Sequence, residues 1–569
     1  MLKTTKTMRI LYVSLLAIFI IFLIVPLIYM MWLSFDDKGA LSGRHYQEVW
    51  QSRELLASVL NSFRVSFISA AITTILAFII AYTIYFTTIS VNTKKVFRLV
   101  VTLPMLLPTI TYGFILIYVF GNQGYITRFI GEPLFSIYGF NGLLIGYVIY
   151  TLPAAFLLIA NGMEYVDQRY VLVSVLMKDR PMRRFYHTVL RPLYGAIAGA
   201  FILSFILSFT DYGIPASIGG QYQVIATTLY QTMLGSIPDF SKGAVIAIMM
   251  LLPAIIAGLL LRKFERYTVS YRSTGDYETV SSAIKNKTFM VLCSIIAFFI
   301  VGIFSILIIV PFTSAYPYDM SFTWKHVQNV LGMGELMRVY QNSLLVAFLS
   351  AAIGTTISFT AAIISVRTSI TSRGLIQWIS ILTNTVPGMV LGLAYLLLFN
   401  GSSLKGTFLI LIICNLVHFF TTPYLMMKNA LEKMDMSWEV TGALLEDTWL
   451  KTVWRVIIPN IRKTIIHVFS YYFTNALVTV SGVVFLVSTN TSLLSTKIKE
   501  LQHYSKFNEI FILSLLILMM NLVVMTGGYV LNKPKKRSVI NEKKIYYSTG
   551  NGKFVSIVSR MWRWKNESG

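Results

Sequence analysis

Apolar residues occur along this chain in long runs that short polar stretches separate. A run of about 20 mainly apolar residues is long enough to cross a bilayer as an α-helix. Twelve such runs are present, at residues 8–33, 59–87, 97–120, 139–162, 193–213, 243–262, 288–312, 340–366, 375–399, 406–428, 461–487 and 508–531. The pattern therefore predicts an all-α integral membrane protein with about 12 transmembrane helices.

Composition agrees with this interpretation. The 569 residues are 56% hydrophobic and 13% charged, with a mean hydropathy of +0.68, whereas about 25% of residues are charged in soluble domains. The net charge of +24 follows membrane sidedness and forms no nucleic-acid-binding face. Cys293 and Cys414 both lie in apolar runs, so no disulfide framework or metal motif is expected.

The distribution of basic residues predicts the orientation of the chain. The richest connections are 163–192, 263–287 and 429–460, together with the tail after 532, and the alternate connections carry few lysines and arginines. The positive-inside rule then places both termini in the cytoplasm of a bacterial cell, with the chain in the cytoplasmic membrane. The connection 488–507, which contains Lys497 and Lys499, runs against this trend and leaves the topology of the last hairpin open.

The two halves of the chain match when one is shifted along the other. The matched features, at shifts of 281, 279 and 268 positions, are NSFRVSFISAAITT at 61–74 with NSLLVAFLSAAIGTT at 342–356, Pro108 and Gly113 with Pro387 and Gly392, and Asn161 and Asp167 with Asn429 and Asp435. A unit of about five helices is therefore duplicated, and one extra helix precedes each copy. Parallel duplication in membrane proteins places two similar bundles around a shared path.

This repeat divides the chain into six parts. They are a leading helix with an outer loop (1–56), a first repeat (57–262), a cytosolic linker (263–287), a second leading helix with an outer loop (288–337), a second repeat (338–531) and a basic cytosolic tail (532–569).

Each repeat contains an amphipathic segment on its predicted cytosolic side. Residues 436–460, MSWEVTGALLEDTWLKTVWRVIIPN, combine charges with apolar residues at helical spacing, and residues 171–192 hold the equivalent place in the first repeat. One such helix would lie along the lipid surface or cap its own bundle. Two copies at equivalent places favour docking onto a partner made of two similar subunits.

The second segment resembles the cytosolic loop of binding-protein-dependent ABC importer permeases. That consensus runs Glu-Ala-Ala, three residues, Gly, about nine residues, an apolar residue, one more residue and Leu-Pro. Glu439 stands at its first position and Pro459 at its end, and Pro192 ends the first copy. The consensus glycine falls on Leu445 and Met177, Val171 replaces the glutamate in the first copy, and the second copy is one residue longer.

The resemblance implies a type I ABC importer permease with two fused, pseudo-symmetric halves. Its partners would be two ATP-binding subunits, seated on the coupling loops 163–192 and 429–460, and an extracytoplasmic solute-binding protein. Residues 208–231 and 475–488 resemble the fused permeases of ferric-iron importers most. Ferric iron is therefore the first solute hypothesis, and 2-aminoethylphosphonate, thiamine and polyamines are the alternatives.

The resemblance and the loop pattern together assign two sets of residues. Coupling to the ATPase subunits is assigned to Lys178, Asp179, Arg180, Pro192, Glu439, Leu445, Glu446, Asp447 and Pro459. The substrate path is assigned to Asp211, Tyr212, Asn61, Ser62, Asn342, Ser343 and Asn475. Asp211 would attract a cationic solute or be a solvated helix end, and the Asn-Ser pairs would line the path or pack between helices.

No catalytic constellation is visible, so the chain is not predicted to be an enzyme and no cofactor or resident metal is assigned. The closest approach to a phosphate-binding loop, GSSLKGT at 401–407, has the wrong residue order, so ATP hydrolysis is expected on a separate subunit. A secondary transporter of the major-facilitator kind is the alternative from another class. The connection after the second helix, TTISVNTKKVF, lacks that family's basic motif.

Overall fold

The computed structural model describes residues 6–37, 39–166, 169–265, 283–444 and 446–532. These residues are almost entirely helical, apart from two short antiparallel hairpins. Most of the predicted linker and all of the predicted tail beyond residue 532 lie outside the described residues. The compact unit formed by residues 1–528 contains all the sites discussed below.

The first half contains fourteen α-helices and one hairpin. The elements are α1 Lys6–Phe19, α2 Val25–Leu33, β1 Asp36–Asp37, β2 Ala40–Leu41, α3 Arg44–Gln51, α4 Arg53–Phe86, α5 Val91–Thr102, α6 Thr109–Phe120, α7 Tyr125–Ile130, α8 Phe140–Glu164, α9 Arg169–Leu176, α10 Pro181–Phe185, α11 Arg191–Thr210, α12 Gly213–Ile218, α13 Ile225–Leu234 and α14 Phe240–Glu265.

The second half repeats this order from α15 onward. The elements are α15 Ala283–Ile309, β3 Thr313–Ala315, β4 Asp319–Phe322, α16 Lys325–Leu331, α17 Leu336–Arg367, α18 Gly374–Thr385, α19 Gly388–Phe399, α20 Phe408–His418, α21 Thr421–Glu432, α22 Ser437–Leu444, α23 Trp449–Thr452, α24 Ile458–Asn460, α25 Arg462–Val478, α26 Leu494–His503 and α27 Phe507–Asn532.

The twelve predicted spans all fall on helices, but four of them are not continuous. In the described part of the chain, eight helical segments are long and apolar enough to cross a membrane, and three further spans are helix pairs bent by 110°, 101° and 55°. The predicted span 461–487 is too long, because α25 ends at Val478 and the chain continues as turns. Fold class and repeat agree with the sequence prediction, whereas the predicted spans were drawn as unbroken rods.

Proline causes the two sharpest breaks, and it does so at equivalent places. Pro108 precedes α6 with φ −60° and ψ 141°, and Pro387 precedes α19 with φ −61° and ψ 144°. Proline has no N–H to donate, and its ring clashes with the preceding turn, so a helix ends before it. The duplicated proline in the sequence is thus a duplicated break in the fold.

The leading helices exchange partners between the halves. The first leading helix, α1–α2, packs against α17 and α19 of the second half, and α15 packs against α4, α5 and α6 of the first half. The Tyr12 hydroxyl donates to the Ser372 carbonyl at 2.7 Å, and the Tyr395 hydroxyl donates to the Phe22 carbonyl. Each leading helix therefore precedes one repeat in the chain and packs on the other in space.

Buried polar contacts also join the two halves. The Thr111 and Ser514 hydroxyls lie 2.9 Å apart, and the Asn521 amide donates to the Leu106 carbonyl at 2.9 Å. A polar group inside a membrane protein is stable only when it has such a partner. The contacts therefore fix how the last helix of the second half packs against the broken span of the first.

Candidate functional site

The first loop, residues 163–192, turns sharply after α9. Lys178 has the left-handed value φ 54°. Its N–H donates to the Val175 carbonyl at 3.0 Å, and the Asp179 N–H donates to the Ser174 carbonyl at 3.1 Å. These two bonds form the Schellman motif that ends many helices. Lys178 is exposed at the turn, and the Ser174 hydroxyl donates to the Asp179 carboxylate at 2.8 Å.

The second loop, residues 429–460, makes the same turn 268 positions later. Glu446 has φ 57°, and the Asp447 N–H donates to the Gly442 carbonyl at 3.0 Å. Asp447 forms an ion pair with Lys451, one helical turn further along. Glu446 is exposed, like Lys178 in the first loop.

Both loops return to the membrane in the same way. A five-residue π-helical turn follows the short helix in each, over Tyr186–Leu190 in the first loop and Val453–Ile457 in the second. Pro192 then lies in the first turn of α11, and Pro459 lies in the first turn of α24. The repeat is therefore structural as well as sequential, although few residues are identical.

The structure moves the consensus glycine position by one residue. Sequence comparison placed it on Met177 and on Leu445, which lies outside the described residues, whereas the left-handed residues are Lys178 and Glu446. Glycine is favoured where φ is positive because it has no Cβ. Counted from Glu446, the second copy has the consensus separation of 13 positions to Pro459, so its one extra residue lies between Glu439 and Glu446.

Glu439, which the sequence assigns to coupling, is buried in an ion pair. Its carboxylate Oε1 lies 2.9 Å from the Arg367 Nε, and the two side chains are only 6% and 2% exposed. The contact is an ion pair rather than an aligned hydrogen bond, and the Arg367 Nη2 also donates to the carbonyls of Leu431 and Met434, both at 2.9 Å. Burial raises the pKa of Glu439, and the nearby guanidinium opposes that shift.

Arg367 was missed as a partner because a sequence shows which residues are charged but not which of them meet.

The other predicted coupling residues differ in exposure. Exposed residues are Lys178, Arg180, Glu446 and Pro459, and partly buried residues are Asp179, Pro192 and Asp447.

The Asn-Ser pairs of the predicted path hold loops in place. The Asn61 amide donates to the Gln223 carbonyl at 3.0 Å, and the Ser62 hydroxyl accepts from the Ile225 N–H at 2.8 Å. Both bonds join α4 to the residues that open α13. This arrangement supports the packing alternative over the path-lining one.

The second half repeats this arrangement. The Asn342 amide donates to the carbonyls of Asn490 and Ser492 at 2.9 and 3.1 Å. The Ser343 hydroxyl accepts from the Leu494 N–H at 2.8 Å. The equivalent loops before α13 and α26 are therefore anchored by equivalent residues.

Asp211 is buried, so the idea that it is a solvated helix end is wrong. Its Oδ2 accepts from the Ile214 N–H at 2.9 Å, and it caps the start of α12 in the manner typical of aspartate. Asn475 donates to the Tyr471 carbonyl within its own helix, at 2.8 Å. Neither contact tests a role in the path.

An aromatic cluster joins the halves beyond Asp211. The Tyr212 ring centroid lies 4.7 Å from that of Tyr230, which lies 6.1 Å from Phe485 of the second half. The Lys499 Nζ lies 6.0 Å from the Tyr212 centroid and 5.8 Å from that of Tyr230. We call these four residues the axial cluster. Of them, only Tyr212 was assigned from the sequence.

Two comparisons with known proteins bear on this architecture. A model of the family described as "Binding-protein-dependent transport system inner membrane component" matches twice, at residues 89–269 and 354–537. The ferric transport system permease protein FbpB of Actinobacillus pleuropneumoniae is 24% identical over 84% of this chain and 71% of that protein.

Two further relatives come from Haemophilus influenzae. Putative ferric transport system permease protein FbpB 1 is 24% identical over 86% of this chain and 80% of its own length. The thiamine transport system permease protein ThiP is 24% identical over 66% of this chain and 70% of its own length. With the duplicated helical unit and the two matching loops, these findings show that the chain belongs to the inner membrane components of binding-protein-dependent transport systems, as a multi-pass ABC importer permease in which two such units are fused.

Proposed function

We propose that this chain forms the membrane path of an importer that takes up ferric iron and is driven by ATP hydrolysis on separate subunits. The observation that carries the proposal is the pair of loops, which make the same left-handed turn and the same π turn in both halves. Two equivalent loops suit two similar ATP-binding subunits, because each copy can seat in the same kind of groove.

The tips of the loops have the surface that such docking requires. Leu176 and Leu444 occupy equivalent positions just before the two left-handed turns, and they are 73% and 79% exposed. Exposed apolar side chains beside charged ones are typical of surfaces that a partner covers. Both loops and both termini are assigned to the cytoplasm, and a solute-binding protein would deliver the solute on the opposite side.

The geometry indicates how movement would pass from loop to path. Each loop continues through its π turn into a long helix of its own half, α11 in the first and α24–α25 in the second. A partner that binds the two loops more tightly in one arrangement biases the helix bundle towards that arrangement. ATP binding would supply the bias by drawing the two subunits together.

Ferric iron is proposed as the solute because relatives named as ferric permeases align along most of the chain. Relatives named for thiamine and for spermidine and putrescine also align, so thiamine and polyamines remain alternatives. The 2-aminoethylphosphonate alternative rests on the resemblance of residues 208–231 and 475–488. Membership of the importer family weighs against a secondary transporter of the major-facilitator kind.

Affinity purification of the chain from its native membrane tests both parts of the proposal. Mass spectrometry should find an ATP-binding protein and a solute-binding protein, and the eluate should hydrolyse ATP. The variant Leu176→Asp with Leu444→Asp should lose the ATP-binding protein, whereas Leu41→Asp, which is equally exposed but distant from both loops in the chain, should keep it. A chain that arrives alone and transports solute on a proton gradient would refute the importer. A ligand other than iron on the binding protein would refute only the solute.

A further inference from the structure

Two residues at equivalent positions of the repeat touch each other. Ile225 and Leu494 begin α13 and α26, and their N–H groups bond the equivalent residues Ser62 and Ser343. Tyr230 lies five positions after Ile225 in α13, and Lys499 lies five positions after Leu494 in α26. Tyr230 and Lys499 are therefore equivalent residues of the two repeats.

Counterparts in two symmetric halves meet only near the axis that relates the halves. The Lys499 ammonium lies 5.8 Å from the centre of the Tyr230 ring. The pseudo-twofold axis therefore passes through the axial cluster.

The path of a duplicated transporter runs between its halves, along such an axis. Tyr212 and Phe485, which pack around the contact, are only 1% and 5% exposed. Tyr230 and Lys499, which make the contact itself, are partly exposed, so the cluster constricts the space between the halves at this level. Helix α25 follows the second loop in the chain and leads to the segment that contains Phe485. The axial cluster therefore lies on the side of the membrane away from the two loops.

Lys499 gives this constriction a positive charge that pairs with no carboxylate in the part of the chain that the structure describes. Its Nζ donates to the Gln502 Oε1 at 3.2 Å, and no ion pair to it is found among the residues that the structure describes. Lys497, two residues earlier, instead pairs with Glu335 at 3.0 Å and Glu500 at 2.7 Å. Partial burial lowers the pKa of Lys499, as expected for a cation that loses part of its hydration.

Such a lysine is well placed to bind an anion. Its contacts with two aromatic rings compensate only part of the cost of burial, because a cation–π contact contributes about 0.5–2 kcal/mol. A carboxylate, phosphate or phosphonate would form a charge-assisted hydrogen bond with the ammonium as the rings separate. A bare trivalent cation would be repelled.

We propose that Lys499, with Tyr212 and Tyr230, forms an outer gate that admits solutes carrying an anionic group. The anion is either part of an organic solute or a ligand of a transported metal ion. This inference rests on the proposed function and narrows it: ferric iron would cross this point as an anion-bound complex, and thiamine or polyamine cations would not be transported.

A crosslinking experiment tests the position of the gate without reference to any solute. The double variant Tyr230→Cys with Lys499→Cys, in the importer purified with its partners, should be joined by a short thiol-reactive crosslinker. Locking the ATP-bound state should reduce the joined product at least fivefold. Tyr230→Cys with Glu500→Cys is the control pair, since Glu500 is exposed and pairs with Lys497. No product with the Lys499 pair would overturn the axial placement.

An uptake experiment in native cells tests the charge. Lys499→Gln should slow the initial rate at least tenfold at equal expression, Lys499→Glu should slow it further, and Lys499→Arg should keep most of it. Lys497→Gln, which removes a lysine that already has partners, should stay within twofold. Unchanged uptake in Lys499→Gln and Lys499→Glu would overturn the gate.

The identity of the solute separates the remaining outcomes. Competition by citrate-bound or phosphate-bound iron supports a metal-bound anion, and competition by aminoethylphosphonate supports an organic one. ATP-driven uptake of thiamine or polyamine would overturn the gate and leave the importer standing. Absence of any ATP-driven uptake by the wild-type chain would overturn both proposals.

Discussion

Arg367 and Glu439 form a buried ion pair that ties the second loop to α17, with the Nε and Oε1 atoms 2.9 Å apart. The counterparts of these residues in the first half, by the shifts of 281 and 268 positions, are Phe86 and Val171. Phe86 is buried and Val171 is partly buried. The positions that form an ion pair in the second half are therefore apolar in the first, so the two loops do not share this contact.

Breaking this ion pair on one side should destabilise the protein. Arg367→Met or Glu439→Gln leaves a buried charge without its partner, which costs about 3–5 kcal/mol, so the melting temperature in lipid nanodiscs should fall clearly. The double variant Arg367→Phe with Glu439→Val copies the first half and should recover most of the loss. Glu432→Gln, which removes a carboxylate from a partly exposed pair with Lys428, should have almost no effect. A double variant as unstable as the single ones would contradict this account.

Glycine should stabilise the two left-handed turns. A residue with a Cβ at positive φ costs about 1–2 kcal/mol of folding free energy. Glu446→Gly and Lys178→Gly should each recover about 1 kcal/mol of this cost. The greater loss of backbone entropy when glycine folds reduces that gain. Glu446→Val should be destabilising, because a β-branched residue disfavours this conformation. Melting temperatures of the purified chain measure these effects. Lys451→Gly in α23 is the control and should destabilise.

Charge reversal at the tip of the second loop should disconnect transport from ATP hydrolysis. The sequence assigns both Glu446 and Asp447 to coupling, so a charge reversal could be made at either position. Because Asp447 already pairs with Lys451, Glu446→Lys alone is the cleaner variant. Uptake should fall at least tenfold, with the chain still folded in the membrane. Glu132→Lys, in an exposed loop beyond α7, is the control. Normal uptake by Glu446→Lys would remove this residue from the mechanism.

Loss of the asparagine anchors should loosen the loops that precede α13 and α26. Asn342→Leu removes two bonds to carbonyls, and Asn61→Leu removes one. Each carbonyl left without a partner costs about 1–3 kcal/mol, so Asn342→Leu should have the larger effect. Hydrogen exchange of peptides from 488–494 and 221–225 should rise in the corresponding variants. Asn475→Leu should leave both peptides unchanged, since its amide bonds within α25.

Much of this architecture could be predicted from the sequence because apolar run length fixes where helices cross a membrane. The repeat was also visible, since Asn61 with Asn342 and Pro108 with Pro387 kept their order in both halves. Pro108, Pro387 and Pro423 inside three predicted spans indicate kinks there, but the size of the bends and the early end of α25 at Val478 could not be predicted. Hydropathy measures how apolar a segment is, and it does not report where the backbone turns inside it.

Pairings over long distances were beyond the sequence. In the sequence, Arg367 and Lys499 are only basic residues near the ends of spans, and Lys499 lies in the connection that runs against the trend. The positive-inside rule counts basic residues near the ends of spans and carries no information about the residues with which they pair. The exchange of leading helices was hidden for a related reason: an apolar face looks the same whether it will contact lipid or another helix.

The packing of the first leading helix on the second half affects the order in which the protein folds during synthesis. Phe22 and Tyr395, which bond each other, are 373 residues apart. At a synthesis rate of about 5–20 residues per second, the first helix waits roughly 20–75 s before its partner exists. During that time the helix can pack on α14 of its own half, but the flank that will meet α17 and α19 has only lipid or an assisting membrane protein to cover it. The first helix that the structure describes thus completes its packing late, and the permease matures as one body rather than half by half.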